Sequence, residues 1–241
     1  MKISRKQKQL FNFFMKQVQR IKPLSLSPGE KLPEDVKTAL KNANKEYAKS
    51  RDFKKYTERM QSILRLPDFV PLSENEKLFF GGFLEGEGSI SVGAKKNTSS
   101  KFGVYLDPEF SVTQHVNGSI HLFRCLCHFR TGLIRFKSKS NATLVYTIDN
   151  RETLKQKIVP FLKKYVSPYS CVPKETRFRH WCALLDLFEQ DAHLDFQKFL
   201  YEIGPIWDEL RMQKGQVNES FTSLEDFQQY VSLYVKQKGL L

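Results

Sequence analysis

Phe80-Gly81-Gly82-Phe83-Leu84-Glu85-Gly86-Glu87-Gly88, followed at once by Ser89-Ile90-Ser91-Val92, is the stretch that decides the fold. The first part continues an apolar helical run that begins after Ser73, whose spacing to Glu76 forms a capping box. The second part alternates polar and apolar residues, which predicts a half-buried strand. A helix that leads through a glycine-rich acidic segment into a strand therefore organises this part of the chain.

The segments that follow extend this helix and strand into the order α-β-β-α-β-β-α. We expect a second strand at 102–114, a helix at 119–129, a strand pair at 133–137 and 143–149, and helices at about 151–164 and 174–190. That order predicts an α+β fold in which helices cover one face of an antiparallel sheet. The predicted organisation is a basic helical N-terminal extension at 1–70, a core at 71–213 and a C-terminal helical tail at 214–241.

The charge of the chain favours a polyanionic partner. Its 241 residues include 39 Lys and Arg against 26 Asp and Glu, which gives a net charge of +13. The acidic residues of 71–88 separate two basic blocks, and a divalent cation that bridges carboxylate and phosphate is a common reason for such a cluster. Nucleic acid and an anionic membrane surface both fit the net positive charge. No run approaches the roughly 20 apolar residues of a spanning helix, which excludes an integral membrane protein, and we expect nucleic acid and no membrane as partner.

The uncovered face of the predicted sheet carries hydrogen-bonding side chains, and its hairpin loops carry basic ones. A solvated face is the alternative, but a ribbon with basic tips suits the DNA major groove, where base edges are read and phosphates anchor the ends. The candidate DNA-binding residues are Ser89, Ser91, Lys95, Lys96, Asn97, Lys101, Tyr105, Asp107, Glu109, Ser111, Thr113, Arg135, Lys137, Lys139, Asn141, Thr143 and Thr147.

The nonapeptide 80–88 resembles the signature motif of the LAGLIDADG homing endonucleases, and the likeness extends over about 73–213, including the long runs 107–118 and 147–151. The chain is most similar to the green-algal chloroplast members that are encoded by group I introns in the large-subunit rRNA gene. The resemblance implies a saddle-shaped DNA-binding sheet. It also implies a metal-dependent double-strand break in a long pseudo-palindromic target, the large-subunit rRNA gene without its intron.

The resemblance also implies which residues act in catalysis. In the family the last acidic position of the motif binds the metal together with the preceding carbonyl, and these positions are Glu87 and Gly86 here. The implied catalytic residues are Glu87, Gln114 and Lys174, with Mg²⁺ as cofactor and Ca²⁺ as a non-cleaving substitute. The sequence departs from the family in having Glu at both acidic positions of the motif and Pro173 where a second Lys is usual. Lys163, Lys164 and Arg177 are therefore alternatives to Lys174.

A single motif resembles the homodimeric branch of the family. Small motif residues would let two copies of the helix approach closely, and the expected interface is Phe80, Gly81, Gly82, Leu84 and Glu85. Two other functions remain open, a maturase that binds its group I intron RNA and a catalytically inactive DNA-binding protein. The likeness implies an organellar protein and favours the chloroplast over the mitochondrion. The basic, acid-poor residues 1–22 also fit a transit peptide.

Overall fold

The computed structural model describes residues 23–211 and 220–240. The helix and the transit peptide considered for 1–22 lie outside the described residues. The helices are α1 Glu34–Ser50, α2 Phe53–Leu64, α3 Glu74–Glu87, α4 Ser119–Phe129, α5 at 151–165, α6 Val172–Glu189, α7 at 196–211 and α8 Leu224–Gln237. The strands are β1 Gly88–Lys96, β2 Val104–His115, β3 Leu133–Phe136 and β4 Thr143–Ile148. None of the described helices is long and apolar enough to cross a membrane.

The order α3-β1-β2-α4-β3-β4-α5 is the predicted one, and the α+β class is confirmed. The strands form one sheet in the order β1-β2-β4-β3, and β3 runs antiparallel to β4 with Leu133 opposite Thr147 and Phe136 opposite Leu144. Helix α3 runs as far as Glu87, so the glycine-rich segment is its last turn. The next residue already belongs to β1, which fixes the helix end beside the start of the sheet.

The chain divides into two compact units. One unit holds residues up to Ser73 together with Val112–Thr147, and the other holds Glu74–Ser111 together with the chain from Ile148 onward. The N-terminal helices α1 and α2 thus belong to the same unit as α4 and β3. The boundaries at 70 and 213 stay predictions.

In the first unit, side chains of the N-terminal helices form hydrogen bonds with backbone groups of β3. This strand lies at the edge of the sheet, so one of its sides has no strand partner among the described residues. The Tyr56 hydroxyl accepts a hydrogen bond from the Ile134 amide at 3.0 Å and donates one to Asn44 Oδ1 at 2.7 Å. Asn44 Nδ2 in turn donates to the Ile134 carbonyl at 3.0 Å. Both polar backbone groups of Ile134 are therefore paired by side chains, as a buried backbone requires.

Replacing Tyr56 by Phe should destabilise the protein by about 1–3 kcal/mol, because the buried Ile134 amide then loses its acceptor. Tyr47→Phe is the control, since Tyr47 stacks on Tyr56 with ring centroids 4.5 Å apart and the described residues offer its hydroxyl no hydrogen bond. Urea unfolding measures both. Equal free energies of unfolding for Tyr56→Phe and the parent would show that the hydroxyl does not hold the edge strand.

In the second unit, α3 packs against α5 at backbone distance. A Cβ atom added to Gly81 would lie 2.1 Å from the Tyr165 carbonyl oxygen, so no other residue fits there without movement of the backbone. Phe80 and Leu84 on the same side of α3 are each 2% exposed. At the start of α3, Glu74 accepts a hydrogen bond from the Tyr165 hydroxyl at 2.8 Å and pairs with Lys77 at 2.7 Å. These contacts lower the pKa of Glu74 to about 2.

The alternation predicted for the sheet is clearest in β2. The buried positions are Val104, Leu106, Pro108, Phe110 and Val112, and the positions that alternate with them are exposed or partly exposed. One row of side chains therefore faces the apolar core and the other remains accessible. In the second unit, α3, α6 and α7 pack against β1. In the first unit, α1 and α4 pack against β3.

Candidate functional site

Helix α3 presents a carboxylate at its C-terminal end. Glu87 is the last residue of the helix, its side chain is exposed, and no described residue makes a hydrogen bond or an ion pair with it. The preceding Gly86 is exposed too. A carboxylate and a neighbouring backbone carbonyl are oxygen donors of the kind that Mg²⁺ and Ca²⁺ accept. The described residues contain no cluster of three or more His, Cys, Asp or Glu that could hold a metal.

The other motif carboxylate faces the chain's own interior. Glu85 Oε2 accepts a hydrogen bond from Ser170 Oγ at 2.6 Å, and Lys174 Nζ lies 4.0 Å away. These three residues line a cavity of about 100 Å³ between α3, the start of β1 and α6. Glu85 is thus a poor candidate for a dimer contact. Its negative charge instead attracts the Lys174 ammonium toward this side of α6.

Two of the alternatives to Lys174 have other partners. Arg177 donates to the carbonyls of Ile90, at 3.3 Å, and of Leu210, and burial lowers the pKa of its guanidinium. Lys164 pairs with Glu74 at 3.4 Å, at the opposite end of α3. Lys163 is exposed and does not line the cavity beside Glu85. The geometry therefore favours Lys174 as the basic residue of this site.

Gln114 lies near the end of β2, in the first unit, and the turn that follows makes room for its amide. A Cβ atom on Gly118 would lie 2.6 Å from Gln114 Oε1, and the side chain of Gln114 therefore occupies the space that any larger residue at 118 would fill. The 3-10 turn Val116–Gly118 brings the glycine back to this position. The orientation of Gln114 thus depends on a glycine four residues further along the chain.

The structure corrects the expected dimer interface. Phe80, Gly81 and Leu84 are buried within the chain, so they belong to its own core and leave little surface for a partner. Gly82 is exposed, and an added Cβ there would meet nothing within 4 Å, so its place in a dimer interface stays a prediction. With Phe79, which is 68% exposed, and Gly86, it forms the outer face of α3.

The two adjacent glycines should respond oppositely to alanine. Gly81→Ala should lower the free energy of unfolding by about 2–3 kcal/mol because the new methyl group overlaps the Tyr165 carbonyl. Gly82→Ala should leave it unchanged or raise it by up to about 1 kcal/mol, because alanine is the better helix former. Urea unfolding checks both in protein dilute enough to be monomeric by light scattering. If both variants lose stability equally, the two glycines do not occupy different faces.

Of the seventeen candidate DNA-binding residues, all except Thr147 are at least partly exposed. The structure corrects Thr147, which is 7% exposed and so leaves little surface for DNA. The chain also passes close to its backbone, since a Cβ on Gly132 would lie 2.8 Å from the Thr147 carbonyl oxygen. On the face itself, Lys95 pairs with Asp107 at 3.4 Å. Arg135 and Lys137 on and beside β3 are exposed.

Several loop residues of this set already contact the protein. Lys96 lies over the Tyr230 and Phe221 rings, and Lys101 donates to the Leu194 carbonyl at 2.8 Å. Asn97 accepts from the Ser99 amide within its own loop. In the first unit, Asn141 donates to the Gly29 carbonyl at 3.5 Å and its backbone carbonyl accepts from Leu32. These side chains support the loops. Among the basic residues of the set, Arg135, Lys137 and Lys139 have the fewest contacts with the rest of the described protein.

Sequence reasoning missed two parts of this site. The outer face of α3 could have been found from spacing, because Phe79, Gly82 and Gly86 recur at intervals of three and four residues. Ser170 gave no signal, since it lies 85 residues from its partner Glu85.

The chain that forms this exposed acidic helix end and polar sheet face is similar to a known protein family. The sequence pattern of the LAGLIDADG endonucleases matches residues 80–185. The chain is also 47% identical over 211 residues to the DNA endonuclease I-CeuI of Chlamydomonas moewusii, which covers 88% of this chain and 96% of that protein. The protein therefore belongs to the LAGLIDADG endonuclease family.

Two solved structures are similar to this protein over most of its length. The group I intron-encoded homing endonuclease I-CeuI complexed with DNA aligns with a TM-score of 0.81 and 46% identity over 86% of this chain and 100% of that one. The archaeal intron-encoded homing endonuclease I-Vdi141I complexed with DNA aligns with a TM-score of 0.60 and 26% identity over 67% of this chain and 97% of that one.

Proposed function

We propose that this protein is a homing endonuclease that makes a metal-dependent double-strand break at one long DNA site. The observation that carries the proposal is the exposed, unpartnered carboxylate of Glu87, placed where α3 joins the first strand of a sheet with an accessible polar face. The family membership supports nuclease chemistry. The likeness to I-CeuI favours the intron-less large-subunit rRNA gene as target and the chloroplast as the compartment.

The described residues would divide the chemistry of phosphodiester hydrolysis between them. Glu87 and the Gly86 carbonyl would hold Mg²⁺, which supplies charge at the scissile phosphate when bound. Gln114 would order the attacking water through its amide, for which the glycine at 118 leaves room. Lys174 would stabilise the negative charge that develops on the phosphate oxygens, and Glu85 would hold its ammonium on the side of α6 that faces α3.

Glu87→Gln should abolish cleavage of target DNA, because one metal-ligand charge is lost. The affinity of the variant for that DNA in Ca²⁺ should stay within about threefold of the parent's, because binding is spread over the sheet. Glu202→Gln is the control, since Glu202 is an exposed residue of α7 and its loss changes the net charge equally. Plasmid linearisation and a gel-shift titration give the two readouts. Cleavage by Glu87→Gln at the rate of the parent would remove Glu87 from the site.

We further propose that two copies act together. One chain offers one exposed motif carboxylate, and two strands must be cut. The outer face of α3 carries Phe79 and Gly82, and Leu78, Tyr169 and Val172 nearby in the second unit are 46–77% exposed. Exposed apolar side chains of this number, next to a glycine with open space, suit helix-to-helix contact with a second chain.

Gly82→Leu should convert the protein to a monomer, because a leucine side chain would hold the two helices apart. The molar mass measured by light scattering should then fall from twice the chain mass of 28.2 kDa to the chain mass itself. Leu233→Ala, an exposed substitution on α8, should leave the dimer intact. A monomeric parent at micromolar concentration would contradict the proposed assembly.

The open sheet face would read the target, with each protomer covering about one helical turn, roughly 10 bp, of a site of about 20 bp or more. Arg135→Ala should cost about 1–3 kcal/mol and relax preference at one base pair if the guanidinium contacts guanine. If the guanidinium contacts a phosphate, the substitution should instead weaken binding to all sequences alike. It should then also lower the slope of log affinity against log salt concentration by about one unit. Binding to a panel of target variants at two salt concentrations separates these cases.

Lys198→Ala removes an exposed positive charge from α7 and should change neither quantity. Unchanged affinity, base preference and salt slope for both Arg135→Ala and Lys137→Ala would exclude the sheet face as the DNA platform. The group I intron maturase would then be the leading alternative, and an intron RNA splicing assay would test it. Specific binding without cleavage by the parent would instead indicate a catalytically inactive DNA-binding protein.

A further inference from the structure

The C-terminal helix α8 contacts the loop between β1 and β2. This loop, residues 97–103, closes on itself through backbone hydrogen bonds from Asn97 to the Gly103 carbonyl at 2.8 Å and from Ser100 to the Asn97 carbonyl at 3.0 Å. Its tip is exposed at Thr98 and Ser99. A two-stranded ribbon with an exposed tip has few contacts of its own, so its position depends on what holds it from outside.

Tyr234 of α8 contacts the loop at two points, near its tip and at its C-terminal end. Its hydroxyl donates to the Thr98 carbonyl at 2.9 Å, 136 residues away in the sequence. Its ring lies against Gly103, where an added Cβ would approach the Tyr234 Cγ to 2.6 Å. Gly103 also has a φ of +75°, so the position needs glycine for its backbone conformation as well as for the ring.

Lys96, at the end of β1, adds a third contact with the same helical region. Its ammonium lies 4.8 Å from the Tyr230 ring centroid and 5.4 Å from that of Phe221. An ammonium over the faces of two rings is attracted to both. This lysine was expected to contact DNA, yet the structure directs it toward the aromatic residues that lead into and line α8.

Helix α8 is itself firmly anchored. Phe227, Val231 and Val235 are fully buried, and Phe227 stacks on Trp207 with centroids 5.0 Å apart. The Ser223 side chain accepts a hydrogen bond from the Asp226 amide and caps the first turn. The helix, which lies in the segment where the sequence predicts a C-terminal helical tail, therefore gives the loop a rigid support.

We infer that α8 is part of the DNA-recognition apparatus and that Tyr234 is a positioning residue, which holds loop 97–103 in its DNA-binding conformation before DNA arrives. The inference rests on the proposed function. A recognition loop that is already ordered loses less conformational freedom on binding, so its support contributes to affinity without touching DNA. Affinity and base discrimination through the hairpin should then fall when the support is removed, although no phosphate contact is lost.

Hydrogen exchange of the free protein tests the support, and DNA binding tests its use. Tyr234→Ala should speed exchange of amides 97–103 at least tenfold, and Tyr234→Phe, which lacks only the hydroxyl, should speed it less. Leu233→Ala changes the exposed neighbouring residue and should leave exchange as in the parent. Far-UV circular dichroism with an unchanged helix signal establishes that α8 itself remains folded.

In DNA binding, Tyr234→Ala should raise the dissociation constant about tenfold and leave the salt slope unchanged. Lys96→Gln should also speed loop exchange without changing the salt slope, whereas a phosphate contact by Lys96 would lower that slope by about one unit. Parental exchange in Tyr234→Ala would overturn the inference. Faster exchange with parental affinity and base preference would overturn it as well.

These outcomes stay distinct from a failure of the proposed function. If the parent neither binds nor cuts the large-subunit rRNA gene, the proposed function fails whatever the loop exchange shows. If the parent binds and cuts while Tyr234→Ala matches it in every readout, only the role of α8 fails.

Discussion

The close approach of α3 to α5 at Gly81 is the constraint on which the second unit depends. With the backbone of α3 against the Tyr165 carbonyl, one side of the helix is committed to the core and the opposite side is left outside. The helix rotation is thereby fixed, and with it the direction of each motif carboxylate. Glu85 faces Ser170 and Lys174, while Glu87, two residues further on, faces solvent. Two similar acids in the same helical turn thus face different surroundings because one packing contact fixes the rotation of the helix.

Much of this architecture is readable from the sequence, because it rests on local periodicity. The helix at 119–129 was predicted with its observed bounds, and the alternation along β2 separated core positions from accessible ones. Such patterns depend only on the 3.6-residue and two-residue repeats of the backbone. The family motif added Glu87, which the sequence alone would have left as one acidic residue among several.

What the sequence could not supply depends on contacts between distant residues. Gly81 and Gly82 are equivalent in the motif, and only the position of Tyr165 distinguishes them. Thr147 is 7% exposed, although alternation along β4 predicts an accessible position. Likewise, the sequence shows Lys96 only as a hairpin lysine, whereas the structure places its ammonium over the ring of Tyr230 on α8 and the ring of Phe221, which precedes that helix. For Gly81 and Lys96, a pattern gave the correct element and a long-range neighbour changed the role of the residue.

The contact between Tyr234 and the β1–β2 loop uses the backbone carbonyl of Thr98, not its side chain. Substitutions at Thr98 and Ser99 can therefore change what the loop tip presents while the bond that holds it persists. Gly103 has no such freedom, because both its conformation and the ring above it exclude a side chain. A lineage of such proteins can diversify at the tip without losing the loop's support, and directed evolution of this hairpin has the same two positions to vary.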